Sequence, residues 1–195
     1  MNKAIAALFV ASDGPYAGLT HVDAWPESRD ARTYSGPHSV VAHPPCERWG
    51  KFAKTNGRVG QDDGCFESAV KAVRKFGGVL EHPEGSMAFN LFGLPIPKQA
   101  GGWSKPDRFG GRSCCVFQGH YGHRAPKATW LYAVTGEFPE LVWGKTPPRD
   151  LSHMGEAERK RAIKTGICQR LSKRQRILTP VPFRDLLIKL AGGSK

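Results

Sequence analysis

Cys46 closes the run Val40-Val41-Ala42-His43-Pro44-Pro45-Cys46. Three small apolar residues are the pattern of a buried strand, and the two prolines end it because neither has an N–H to give to a ladder. The chain must turn there and set the thiol just past the strand's carboxyl end, the edge of an open α/β sheet where ligands collect. A thiol on so stiff a turn suits a nucleophile. Glu81 ends a second short apolar run, Val79-Leu80-Glu81-His82-Pro83, in the same manner. A carboxyl group in that position suits proton exchange with a bound molecule. Arg124, in the polar turn Gly119 to Lys127, offers a cation to steady developing negative charge.

The elements that must position these groups follow from periodicity. Ala4 to Ala11 reads as a first strand and His21 to Trp25 as a short second one, with the Gly-rich loop Ser12 to Gly18 after the first. Phe66, Ala69, Val70 and Val73 recur at helical spacing, which predicts an amphipathic helix. Asp62-Asp63 stand where an acidic N-terminal cap belongs, and Gly77-Gly78 where a left-handed stop belongs. The middle of the chain is thus strand, helix, strand, a βαβ unit with neighbouring parallel strands. That arrangement puts Cys46 and Glu81 on one sheet edge, close together. Residues 84–113, rich in Gly, Pro and Lys, read as a long loop or small subdomain. Cys114 to Gln118 and Ala128 to Val134 read as two more strands. Ser152 to Arg176 reads as a basic helix, and Thr179-Pro180 as the start of a last helix with Phe183, Leu186, Leu187 and Leu190 toward the core.

The chain has 195 residues and a formal charge of +12. The length fits one domain: residues 1–145 as an α/β catalytic-like body and residues 146–195 as a basic helical segment packing back on it. Such a surplus of positive charge favours polyanionic partners, nucleic acid above all, and Arg159 to Arg176 holds eight cations and no acid. Five cysteines without paired spacing fit a reducing compartment. The apolar run near the N-terminus is too short to cross a bilayer and lacks a cleavage site, so a cytoplasmic protein with no membrane association is expected. No metal is expected: Cys114 and Cys115, near His120 and His123, are adjacent in a strand and point to opposite faces.

Pro45-Cys46, then Glu81, then Gln118 to Arg124, in that order and rough spacing, resemble the Pro-Cys loop, the Glu-Asn-Val strand end and the Gln-x-Arg-x-Arg turn of DNA (cytosine-5) methyltransferases. The likeness is closest to compact phage-type members with an Ala-His-Pro-Pro-Cys loop, and it covers residues 40–134. This chain has Glu47 where the family has Gln, His82-Pro83 where it has Asn-Val, and one arginine in the third motif. The resemblance implies a Rossmann-like, methyltransferase-type, mostly parallel sheet, with a truncated N-terminal cofactor region. It implies that Cys46 attacks a cytosine, Glu81 holds and protonates it and Arg124 orients its carbonyl. S-adenosylmethionine is the implied cofactor, with Asp13, Gly14, Gly18 and Asp23 as its candidate ligands. His43, Pro45, Trp49, Gln118, His123, Lys127, Arg170, Lys173 and Arg174 are candidate contacts to substrate or DNA. Two other functions fit the same residues: a Cys-dependent enzyme acting on a nucleobase or nucleotide without that cofactor, and a catalytically silent DNA-binding protein of methyltransferase-derived fold.

Overall fold

The computed structural model describes residues 5–50, 53, 57–146, 154–165 and 171–192. Six strands, β1 (Ile5–Leu8), β2 (Val22–Trp25), β3 (Ser39–Ala42), β4 (Gly78–Pro83), β5 (Arg112–Phe117) and β6 (Ala128–Val134), form one sheet in the order β2-β1-β3-β4-β6-β5. The helices are α1 (Cys65–Phe76), α2 (Met87–Leu91), α3 (Glu156–Thr165), α4 (Lys173–Ile177) and α5 (Val181–Gly192). No helix among the described residues is long and apolar enough to cross a membrane.

The fold is α/β, but the sheet is mixed, which corrects the mostly parallel sheet expected from the sequence. β1 runs parallel to β2 and β3, and β3 parallel to β4, whereas β6 runs antiparallel to both β4 and β5. The reason is the connection between β5 and β6. Only residues 118–127 join them, a link with no crossover helix, so the pair closes as a hairpin. β6, not β5, then docks on β4.

The βαβ unit β3-α1-β4 forms as expected. In α1 the stripe Phe66, Ala69, Val70 and Val73 is buried against β3 and β4. Asp62 caps the helix: its carboxylate accepts from Phe66 N at 2.8 Å and Gly64 N at 3.2 Å. It also accepts from Trp49 Nε1 at 2.8 Å, which fixes that ring in the core. Asp63 is not a cap; it adopts a positive φ of 53° and its carbonyl accepts from Arg32. Gly77 stops α1 with φ 78° and ψ 171°, a positive φ open to glycine but outside the left-handed helical region, and the chain goes straight into β4.

Two apolar layers cover the sheet. Ala6, Leu8, Val40, Ala42 and Leu80 face α1 and pack with its Phe66 and with Trp49. Ile5, Ala7, Val41 and Val79 face the opposite layer, where Phe183, Leu187, Leu190 and Ala191 of α5 are buried. The expected basic helix over 152–176 is described as two pieces, α3 and α4. Within 84–113, Ser86 caps α2 through Ala88 N, and Trp103 packs edge-on against Phe138 and Trp143 on the α5 layer.

Candidate functional site

Strand register builds the site. Ala42 pairs with Leu80, so the next residues, His43 and Glu81, lie level on neighbouring strands. Side chains alternate along a strand. Val41 and Val79 face the α5 layer, and His43 and Glu81, two residues on, share that face. His43 Nδ1 lies 3.1 Å from Glu81 Oε2, with both side chains 13% exposed. His43 N also donates to Leu8 O at 3.0 Å, tying the loop after β3 to β1.

Glu81 is held from its other side too. Gln118, fully buried, donates Nε2 to Glu81 Oε1 at 3.1 Å and to Thr129 Oγ1 at 2.9 Å. The backbone of Lys127 anchors both partners, its carbonyl accepting from Gln118 N and from Thr129 Oγ1 at 3.1 Å each. On the far side of His43, the hydroxyl of buried Tyr16 lies 2.8 Å from Nε2. The Gly-rich loop after β1 therefore delivers a phenol into the site.

Cys46 is half-buried after the two prolines, and its carbonyl accepts from Trp49 N and Gly50 N at 3.0 Å each. Burial pushes its thiol up, Glu81's negative charge pushes it further, and Lys127 pulls it back. The group is therefore a neutral thiol at neutral pH and needs a base at the moment of attack. Burial pushes Glu81 up as well, but the hydrogen bond from His43, with the positive charge of Lys127, outweighs it and holds the carboxyl below its usual range. Lys127 is lowered by burial, against the opposing pull of Glu81 and Cys46. Thiol, carboxylate and ammonium thus act on one another, the electrostatic signature of a shared site.

Lys127, not Arg124, is the cation whose charge acts on both Cys46 and Glu81. Arg124 sits exposed in the turn, whereas Lys127, with a φ of 44°, directs Nζ to Leu178 O at 3.1 Å. His123 is buried and braces that turn, its Nδ1 accepting from Ala125 N at 2.9 Å. Trp49, at 2% exposure, packs against Phe66 and Phe92, so its ring is core and not a surface for a base. Arg170 lies outside the described residues, as do the side chains of Lys173 and Arg174 on α4.

A cavity of about 890 Å³ opens on the α1 side of the sheet, across from the face that carries His43 and Glu81, and is lined among others by Phe9, Trp25, Glu27, Asp30, Arg32 and, from the loop of Cys46, Pro45. Phe9 follows β1, Trp25 ends β2 and Pro45 follows β3. The cavity therefore stands at the carboxyl ends of the strands where the order reverses, with β2 on one side of β1 and β3 on the other. Asp13, Gly14 and Gly18 do not line it. Gly14 N closes a turn on Ala11 O at 3.1 Å, and Gly18 has a φ of 76°. Asp23 braces the wall from behind, accepting from Trp25 Nε1 and from Arg29, each at 2.8 Å. Among the described residues no group of three or more His, Cys, Asp or Glu is placed to hold a metal ion.

Sequence reasoning gave no role to Tyr16 or, apart from Pro45, to the cavity wall. The signal available for Tyr16 was a bulky aromatic inside an otherwise small, polar loop. The chain matches no protein-family model, no curated protein and no solved structure.

Proposed function

We propose that this protein is a cysteine-dependent enzyme that modifies a nucleobase in nucleic acid, with chemistry of the cytosine-5 methyltransferase kind on a Rossmann-like sheet. The observation that carries the reading is Glu81, held by His43 and Gln118 at the carboxyl edge of β4, with Cys46 on the loop that leaves the same edge of neighbouring β3.

The base must leave its stack to reach a half-buried thiol. Glu81 takes the Cys46 proton, and the sulfur bonds to carbon 6 of the ring. Glu81 passes that proton to ring nitrogen 3, so the ring gains no net charge. The product is an enamine, nucleophilic at carbon 5. Lys127 steadies the charge that shifts between thiolate and carboxylate. With an electrophile added at carbon 5 by a bound methyl donor, loss of the carbon 5 proton expels the Cys46 thiolate, and return of the nitrogen 3 proton through Glu81 to the sulfur restores the aromatic ring.

The cavity is the place this reading assigns to S-adenosylmethionine. Phe9 and Trp25 offer apolar surface to a purine, Glu27 and Asp30 offer acceptors to hydroxyl or amino groups, and Pro45 brings the loop of Cys46 to its rim. When bound, that cofactor supplies an electrophilic methyl group. A second reading dispenses with it, and rests on the link between β1 and β2, which spans residues 9–21 with no helix. Calorimetric titration with S-adenosylmethionine separates the two.

The charge of +12, with its acid-free stretch over 159–176, supports nucleic acid as the partner, and DNA is the form we favour. A reactive thiol suits the reducing cytoplasm. The test is covalent trapping on DNA carrying 5-fluorocytosine. The wild type forms an adduct that survives denaturation and Cys46→Ala forms none. A wild type that forms no adduct, with or without S-adenosylmethionine, overturns the reading in favour of a silent DNA-binding protein.

A further inference from the structure

The row Tyr16, His43, Glu81, Gln118 and Thr129 is a continuous chain of hydrogen bonds, and the donor of each link can be assigned from chemistry. An ionised carboxylate only accepts. His43 Nδ1, 3.1 Å from Glu81 Oε2, therefore carries a proton. A neutral imidazole has one N–H, so its Nε2 is bare and must accept. The partner there, 2.8 Å away, is the Tyr16 hydroxyl, which donates. We propose that Tyr16 and His43 are positioning residues for Glu81. Glu81 selects the Nδ1–H tautomer of a neutral His43, Tyr16 caps the bare Nε2, and His43 so held keeps Glu81 ionised and fixed in place.

The surroundings fit that role. Tyr16 is 1% exposed, and burial with the charge of Glu81 keeps its phenol protonated, hence a donor. Groups facing the chain from other elements are Cys46 of the loop after β3, His82 of β4, Lys127 of the turn before β6, and Arg184 and Asp185 of α5. Arg184 Nη1 also donates to Pro15 O at 2.8 Å, so α5 holds the loop that carries Tyr16. Oε1 of Glu81 is tied by Gln118 and Oε2 by His43. The carboxylate cannot rotate without breaking one of two bonds. A base oriented by a third group is the usual logic of an assisted nucleophile; here the orienting group is itself oriented by a phenol.

The inference rests on Glu81 as the acceptor of the thiol proton, and it is tested without any base or cofactor. In the wild type, ¹⁵N spectra of the His43 ring show the Nδ1–H tautomer; in Tyr16→Phe that tautomer remains, held by Glu81, and the Nε2 resonance moves as its donor is removed. The second measurement is the pH profile of Cys46 alkylation by iodoacetamide. In His43→Ala, Glu81 loses its donor and becomes neutral under burial. Its repulsion of the thiolate vanishes, and the profile moves toward acid. His43→Asn, whose amide nitrogen replaces Nδ1 as donor, restores the wild-type profile. An Nε2–H tautomer in the wild type overturns the proposal, as does an identical profile for His43→Ala and His43→Asn. If the tautomer and profiles hold but no base is trapped, the positioning role stands and the proposed reaction falls.

Discussion

Replacing Glu81 by Gln separates two effects of one carboxylate. Glu81 accepts one hydrogen bond on each oxygen, from His43 and from Gln118, at 3.1 Å each. Gln has one acceptor oxygen, so one of those donors loses its partner in a site where the side chain is 13% exposed. Leaving a buried donor unsatisfied costs about 1–3 kcal/mol. At this chain length roughly 2–4 °C of melting temperature goes with each kcal/mol, so a drop on the order of 5 °C is expected. Cys46 responds in the opposite sense. Glu81's charge is one of the causes that raise its thiol, so in Glu81→Gln the thiol ionises at lower pH and iodoacetamide reacts faster at neutral pH. Trapping on 5-fluorocytosine DNA, which needs proton exchange with the ring, falls by about 10²–10⁴-fold, the usual loss for a general acid–base group. The signs are the test. Faster alkylation with slower trapping supports the argument; alkylation and trapping that fall together show that Glu81 only supports the loop. The pH dependence has a definite direction. Because the folded carboxyl is held low, its stabilising contribution is present above the unfolded value of about 4.3 and is lost as pH falls through the folded value. The stability gap between wild type and Glu81→Gln therefore closes in acid, which urea titration at several pH values measures.

Gly78→Ala is expected to be severe, on the order of 4 kcal/mol or more, because an added Cβ falls 1.9 Å from Val40 O at a φ of 121°; the urea midpoint or soluble yield checks it. His82 is fully buried beside Phe66, with neither ring nitrogen hydrogen-bonded among the described residues, and burial lowers it from 6.5 to about 4. A group kept neutral in the fold loses stability as pH falls from 6.5 toward 4, here on the order of 3 kcal/mol, and His82→Phe flattens that limb of the stability profile.

The strands and α1 were legible because apolar periodicity is local. Val40 to Ala42, Val79 to Leu80 and the stripe from Phe66 to Val73 bury what their spacing says they bury. The reversed place of β6 was not, since nothing within Ala128 to Val134 says which edge of the sheet its hairpin will meet. The site divides in the same way. Cys46 and Glu81 follow from strand ends. The choice of Lys127 over Arg124 depends on which cation the turn aims inward, set by the positive φ of Lys127 and by a carbonyl 51 residues away at Leu178. Trp49 was ambiguous in principle, because a tryptophan serves a core and a base stack equally well until its N–H finds Asp62.

What joins the legible and illegible parts is parity. His43 and Glu81 meet because each lies two residues beyond a valine on the α5 face, and because β3 and β4 pair Ala42 with Leu80. A slip of one residue in β4 would turn Glu81 into the α1 layer among Phe66 and Trp49, and bring His82 to the thiol instead. Gly78 opposes that slip. Its backbone lies so close to Val40 that no side chain fits, and a one-residue shift would place Gly77 or Val79 there. Val79 is excluded by its bulk. Gly77 is occupied as the stop of α1, its N–H bonded to Val73 O and its own carbonyl accepting from Val40 N. The meeting of His43 and Glu81 is therefore set at the far end of β4, by a residue that has no side chain.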